Sequence, residues 1–158
     1  MNILIQILVL VALLGSGLIA GVLYAFSGAV MSALGRIPSA EGIRAMQSIN
    51  STIINPLFML SFIGTAIVST AVVVFGILGH LGESSIWFSS ASLLYIIGTF
   101  IITVVGNVPM NEKLDTVNPE SGDAYWRIYL SKWTRLNHFR TICALTACAL
   151  FAIGFILN

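Results

Sequence analysis

The sequence predicts an all-α protein, a bundle of four transmembrane helices with short interfacial helices on its cytoplasmic side and both termini outside. Residues 1–35, 45–82, 84–107 and 141–157 contain no Asp, Glu, Lys or Arg. Such stretches match the roughly 20 apolar residues that cross a hydrocarbon core of about 30 Å. Composition agrees, because 58% of the 158 residues are hydrophobic and 8% are charged, whereas soluble domains contain about 25% charged residues. The composition therefore argues against a water-soluble core.

The charge-free stretches place four spans in a single membrane domain that covers residues 1–158. We expect the spans at about 3–34, 56–79, 86–107 and 138–157. The first span is rich in glycine, and Gly17 and Gly21 have the GxxxG spacing that lets a neighbouring helix approach closely. This span is therefore expected to lie centrally in the bundle.

A short interfacial helix is predicted at residues 39–54, between the first two spans. Ser39 suits the capping position at its start. Gln47 and Asn50 fall on its apolar face, which recurs at three- and four-residue spacing. The second span then begins at Pro56, with the preceding asparagine as its cap.

The third span is expected to break or kink at Pro109. Proline removes an amide donor and disfavours helical geometry at the residue before it. Irregular backbone at the membrane edge needs polar partners. Asn107 and Asn111 can provide these partners, or alternatively can present their amides to a ligand.

Residues 122–137 are predicted to form a second interfacial helix. Trp126, Tyr129 and Trp133 make an aromatic stripe along one side, and the cations of this segment lie away from it. Headgroup anchoring explains such a segment without a binding site. We expect this helix to run directly into the fourth span.

The basic residues set the predicted orientation. All seven Lys and Arg residues lie between spans one and two, or between and at the edges of spans three and four. Basic loops stay cytoplasmic, so the protein is expected in the plasma (inner) membrane with the His80 loop outside. The formal net charge is only +1, which argues against a nucleic-acid partner. Membrane lipids are the expected surroundings.

Polar residues that solubility does not explain gather at the cytoplasmic ends of the helices. Trp133, Asn137 and Arg140 share one face of an ideal helix, and His138 belongs to a second face about 100° away. Either face could line a pocket. The candidate substrate-binding residues at this level are Gln47, Asn50, Asn107, Asn111 and Trp133.

Two residues of the fourth helix are candidates for chemistry. His138 is the only histidine on the cytoplasmic side, and imidazole exchanges protons near neutral pH. It is a candidate general base or, alternatively, an interfacial ring bonded to a carbonyl or a headgroup. Arg140 either anchors the span to lipid phosphate or holds an anionic substrate oxygen.

Several membrane chemistries are disfavoured. The two histidines are expected on opposite sides of the membrane, which argues against a bis-histidine haem within the chain. A transition-metal site lacks ligands, since only Glu41, Glu112 and Asp115 accompany His138. No span interior contains the acid that a proton-coupled pump needs. We therefore predict no metal or other dedicated cofactor, with a metal or haem as the open alternative.

Four segments of the chain carry a resemblance to a known family. They are Tyr24-Ala-Phe-Ser27, Met46-Gln-Ser-Ile-Asn50, Asn107-Val-Pro-Met-Asn-Glu112 and Trp133-Thr-Arg-Leu-Asn-His-Phe-Arg-Thr141. On these segments the chain resembles the anthrone-oxygenase-like family, a group of small four-helix membrane proteins. The resemblance covers nearly the whole chain, and its last two segments are the specific ones.

The resemblance implies an integral membrane oxidoreductase that oxidises a lipid-soluble, anthrone-like aromatic substrate with O2 and no redox cofactor. His138 would then remove the acidic ring-methylene proton. Asn107, Asn137 or Arg140 would stabilise the resulting oxyanion, and Trp133 would stack on the flat substrate. The alternative is a non-enzymatic membrane module that binds a lipid, a quinone or a partner protein. A homo-oligomer is compatible with the glycine-rich first span.

Overall fold

The computed structural model describes all 158 residues, Met1–Asn158, and its main elements are five helices. They are α1 (Ile3–Leu34), α2 (Ser39–Ile53), α3 (Pro56–Ile77), α4 (Gly82–Asp115) and α5 (Asp123–Ile156). Helices α1, α3, α4 and α5 are long and apolar enough to cross a membrane, so the predicted four spans are confirmed. The sidedness of the termini and the interfacial position of residues 39–54 and 122–137 stay predictions.

Two of the five helix starts, those of α1 and α3, follow local capping chemistry. Asn2 accepts a hydrogen bond from the Ile5 amide at 3.0 Å and caps α1. Asn55 accepts one from the Phe58 amide at 3.0 Å and caps α3, whose first residue is Pro56. A side-chain oxygen satisfies an amide that the helix leaves unpaired, and proline lacks that amide altogether. The predicted start of the second span is therefore confirmed.

Helix α4 does not break at Pro109, and in this respect the sequence-based expectation is wrong. The helix continues to Asp115, and Leu94–Ile101 and Thr103–Asn107 wind as π-helical turns. Pro109 lies in the first turn of the α-helical segment Val108–Asp115 that follows these turns. A proline is tolerated in a first turn because no donor is required of it there. The proline is thus accommodated where π winding changes to α winding, and the helix continues past it.

The spans form a ring in which each helix packs mainly on two neighbours, in the order α1, α3, α4, α5. Three apolar clusters fill the bundle from one end to the other. The third cluster lies where α2 folds against α4 and α5, and it contains Met46, Leu114 and Trp126. Helix α2 thereby covers the end of the bundle at which the candidate residues gather.

The predicted close approach at the GxxxG pair is only half correct. A Cβ atom at Gly17 would lie 3.2 Å from the Cys148 sulfur on α5, so this glycine does face a neighbouring helix. A Cβ atom at Gly21 would meet nothing within 4 Å. The two glycines therefore do not form one contact surface inside the bundle.

Candidate functional site

A cavity of about 620 Å³ lies between the ends of the spans and α2. All five helices contribute to its wall, and 15 of its 23 lining residues are hydrophobic. The size and the mostly apolar wall are typical of a small-molecule site. Its polar lining residues are Asn50, Ser51, Thr103, Asn111, Glu112, Asp115, Asn137 and Arg140.

Arg140 contributes a buried positive charge to the cavity wall. Only 4% of the residue is exposed, and its guanidinium lies 5.4 Å from the centre of the Trp133 ring. One terminal nitrogen donates to the Thr103 hydroxyl at 2.9 Å and the other to Asn137 Oδ1 at 2.7 Å, while Nε has no partner. The ion pairs of the protein are Arg44–Glu120 and Arg127–Asp123, both exposed. Arg140 is therefore a buried cation without a counter-ion.

Asn137 holds Arg140 in position. Its Oδ1 accepts from Arg140, and its Nδ2 donates to the Leu23 carbonyl at 2.8 Å and to Ser27 Oγ at 2.7 Å. Arginine can only donate, so the orientation of this amide is fixed. The oxygen and the nitrogen of the Asn137 amide thus both form hydrogen bonds within the protein. The expected donation from Asn137 to a substrate oxygen does not fit this geometry.

Three of the five predicted substrate-binding residues line the cavity: Asn50, Asn111 and Trp133. Asn111 Oδ1 accepts from Tyr129 Oη and from Trp133 Nε1, both at 2.7 Å. Asn50 is 5% exposed, and its Nδ2 has no hydrogen-bond partner. The indole of Trp133 is stacked on Tyr129 with the ring centres 5.7 Å apart. These residues supply donors and a flat aromatic wall.

The other two predicted substrate-binding residues lie outside the cavity wall. Gln47 donates to the carbonyls of Leu114 and Val117 at 2.9 and 3.0 Å. Asn107 is buried and donates to the Trp133 carbonyl at 3.2 Å. The side-chain amides of Gln47 and Asn107 thus both donate to backbone carbonyls, at the end of α4 and on α5 respectively. They connect helices rather than face a ligand.

His138 is exposed and does not line the cavity. It follows Asn137 directly, and one residue of α-helix is a rotation of about 100°. This second face of α5, which could have lined a pocket, therefore contributes no residue to the wall of this cavity. Thr141, three residues further along α5, instead bonds the Asn137 carbonyl at 2.8 Å and contacts Ser27 Oγ at 3.1 Å.

Sequence reasoning gave Thr103 no role, and it named Glu112 and Asp115 only as acids available to a metal ion. Glu112 and Asp115 are exposed residues at the polar end of the cavity. A four-residue spacing of polar side chains on α4, which begins at Thr99, was the available signal for Thr103. No three His, Cys, Asp or Glu side chains are close enough to one another to hold a metal ion.

The fold and the site define a multi-pass membrane protein whose helices enclose an apolar cavity with one buried cation. The family model for anthrone oxygenase matches residues 58–150, which include most of the cavity wall on α3, α4 and α5. The chain belongs to the anthrone oxygenase family, and the resemblance noted in the sequence is confirmed. No match was found among curated proteins or among solved structures.

Proposed function

We propose that this protein is an integral membrane oxygenase that oxidises an anthrone-like aromatic ketone to a quinone with O2. The observation that carries the proposal is the uncompensated charge of Arg140 in the wall of an apolar cavity. Such a charge favours the anionic form of a bound substrate far more strongly than water does. The family membership agrees with an oxidoreductase of this kind.

The proposed reaction begins with removal of a proton from the ring methylene opposite the carbonyl. The negative charge that forms moves to the carbonyl oxygen, where Arg140 stabilises it. This electron-rich anion reduces O2 and forms a carbon–oxygen bond at the former methylene carbon. Loss of one water from the resulting hydroperoxide gives the second carbonyl, so that anthrone and O2 become anthraquinone and water. Molecular oxygen is the only oxidant in the scheme.

The proton acceptor in our proposal is a carboxylate at the polar end of the cavity. Glu112 and Asp115 line the cavity and are exposed, so either can pass a proton to water. His138, the base expected from the sequence, lies outside the wall. A general base must reach the proton it removes. We therefore transfer the role from His138 to the two carboxylates.

Substitution of Arg140 tests the proposed function. Oxygen uptake by the detergent-purified protein with a hydroxylated anthrone is measured and corrected for spontaneous autoxidation. Arg140→Leu is expected to lower kcat/KM by about 10²- to 10³-fold, the usual loss when an oxyanion-stabilising group is removed. The matched control is Arg135→Leu, since Arg135 is an exposed cation on the same helix and its loss leaves turnover unchanged. Equal rates in the two variants would contradict the role of Arg140.

The proton acceptor is tested by a second comparison in the same assay. Glu112→Gln combined with Asp115→Asn is expected to lower kcat by about 10²- to 10⁴-fold, the range of general base catalysis. His138→Ala is expected to retain wild-type turnover, because its ring is not in the cavity. A loss confined to His138→Ala would return the base role to that residue.

The outcome of oxygen uptake also separates the two function classes. Acceleration over autoxidation supports the enzyme. Its absence, together with a lipid or quinone that copurifies with the protein, would instead support a non-enzymatic binding module built on the same cavity. We place the protein in the inner membrane with this cavity toward the cytoplasm, in agreement with the distribution of its basic residues.

A further inference from the structure

The orientation of the Asn111 side chain is fixed by chemistry. Trp133 Nε1 can only donate a hydrogen bond, so the Asn111 atom 2.7 Å from it must be the carbonyl oxygen. The Tyr129 hydroxyl donates to the same oxygen at 2.7 Å. Two donors from α5 therefore occupy the oxygen, and the amide nitrogen has to point elsewhere.

The nitrogen of Asn111 is available to a ligand. Asn111 lines the cavity, and its Nδ2 makes no hydrogen bond within the protein. Asn50, on the facing helix α2, also lines the cavity and has an unpaired, buried Nδ2. A buried donor without a partner costs free energy. A ligand oxygen that accepts from Asn50 would remove this cost there, and Asn111 offers a second free donor on the same cavity wall.

Trp133 connects this donor to the buried cation. Its Nε1–H bonds Asn111, and its ring lies 5.4 Å from the Arg140 guanidinium. Asn111 thus meets the edge of the indole, whereas the Arg140 guanidinium lies over its ring, so the two anchoring groups are set apart across this fused pair of aromatic rings. Because both groups line the same cavity, a flat ligand bound there can meet Arg140 with one oxygen and Asn111 with another.

We propose that Asn111 is a specificity-determining donor. It selects fused aromatic ligands that carry an acceptor oxygen about one ring system away from the oxygen held by Arg140. Tyr129 acts through Asn111 as a positioning residue. The proposal rests on the proposed function only in taking this cavity as the substrate site.

Binding of substituted 2-naphthols tests the proposal without any turnover. The phenolic oxygen mimics the substrate oxygen at Arg140, and the substituent at position 6 probes Asn111. A methoxy oxygen can only accept a hydrogen bond, and a hydroxyl group can both donate and accept one. A methyl group can do neither. Dissociation constants are measured by titration calorimetry in one detergent. The wild-type protein is expected to bind the methoxy compound about three- to tenfold more tightly than the methyl compound.

Asn111→Asp removes the donor and keeps the oxygen that Tyr129 and Trp133 require, so the variant is expected to fold. The preference for methoxy over methyl should vanish or reverse, because a carboxylate repels an acceptor oxygen. The hydroxyl compound should still bind, since its O–H can donate to the carboxylate. A preference for methoxy that survives in Asn111→Asp would overturn the proposal.

Tyr129→Phe and Tyr125→Phe form a matched pair for the positioning role. Both tyrosines lie on α5, but the Tyr125 hydroxyl donates to the Met110 carbonyl and not to Asn111. Tyr129→Phe is expected to reduce the methoxy preference at least twofold, while Tyr125→Phe keeps it. A general loss of stability would weaken both ligands equally and leave their ratio unchanged, so an unchanged ratio in Tyr129→Phe overturns this role.

The outcomes also distinguish this proposal from the proposed function. A methoxy preference that depends on Asn111, found in a protein that consumes no O2, supports the donor and overturns the oxygenase. Oxygen uptake without a methoxy preference supports the oxygenase and overturns the donor. If no naphthol binds, or if Arg140→Leu binds all of them as the wild type does, the cavity is not the site and both are wrong.

Discussion

Arg140 shows how single residues prepare this site for an anion. The Thr103 hydroxyl and the Asn137 amide satisfy two of its nitrogens without neutralising its charge. A carboxylate in either place would form an internal ion pair and cancel the charge. Neutral acceptors keep a buried guanidinium solvated while its electrostatic attraction remains available to a ligand. The attraction for an anion thus depends on what surrounds Arg140 as well as on the arginine itself.

Asn137→Asp tests this dependence. The substitution keeps the oxygen that accepts from Arg140 and adds a charge that pairs with it. Binding of 2-naphthol is expected to weaken by about tenfold or more, since its charge-assisted bond to the arginine is lost. The measurement is a calorimetric titration, with His138→Ala as the neighbouring control. Unchanged affinity in Asn137→Asp would show that the anion does not lie at Arg140.

At the scale of elements, helix α4 keeps four polar residues in line against α5. Thr99 donates to the Arg140 carbonyl, Asn107 to the Trp133 carbonyl, and Thr103 and Asn111 accept from Arg140 and Trp133. Residues four apart drift by roughly 40° per step on a regular α-helix. The wider π-helical turns at Leu94–Ile101 and Thr103–Asn107 offset this drift. Their winding therefore brings Asn111 to the cavity.

The close packing of α4 on α5 is predicted to be disturbed by any side chain larger than hydrogen at Gly98. A Cβ atom there would lie 2.8 Å from Cys143 Cβ, closer than carbon atoms pack. Gly98→Ala is expected to destabilise the fold by about 1–3 kcal/mol. Gly21→Ala is the control, because its Cβ meets nothing within 4 Å. In that variant the gain in helix propensity should leave stability unchanged or raise it by up to about 1 kcal/mol.

Thermal unfolding in one detergent, followed by circular dichroism, compares the two alanine variants. The midpoint of Gly98→Ala should fall below that of the wild type, and that of Gly21→Ala should not. Equal midpoints would mean that α4 and α5 can separate at Gly98 without cost.

At the scale of the whole molecule, part of the cavity wall on α3 and α4 is exposed. The Tyr95 hydroxyl bonds the Phe62 carbonyl at 3.1 Å, and the Phe62 and Phe100 rings lie 5.1 Å apart, so the two helices are in contact at that level. Exposed aliphatic side chains also line the cavity, namely Ile54, Ile63, Val104 and Val108. An apolar rim of this kind suits a substrate that arrives from the lipid.

Val104→Trp tests arrival from the lipid. A bulky ring at this rim position is expected to lower kcat/KM several-fold for a substrate supplied in liposomes. Val105→Trp is the control, since Val105 is exposed on the same helix but does not line the cavity. Oxygen uptake with both variants in liposomes of one composition provides the measurement. Equal rates in the two would place the route to the cavity elsewhere.

The sequence by itself determined the four long apolar helices and the helix start at Asn55. Long charge-free stretches can only be stable as helices in lipid, and capping depends on neighbours in the chain. The same local chemistry did not predict the passage of α4 through Pro109, which directly follows π-helical turns.

Only the tertiary structure decided what each polar side chain does. Asn107, Asn111 and Asn137 are the same residue type at the same end of the bundle, yet only Asn111 has an amide nitrogen free to face the cavity. His138 and Asn137 are adjacent in sequence, but Asn137 lines the cavity whereas His138 is exposed outside it. A sequence records which donors and acceptors exist. Their partners, and hence the groups left for a ligand, are fixed by contacts between helices that are distant along the chain.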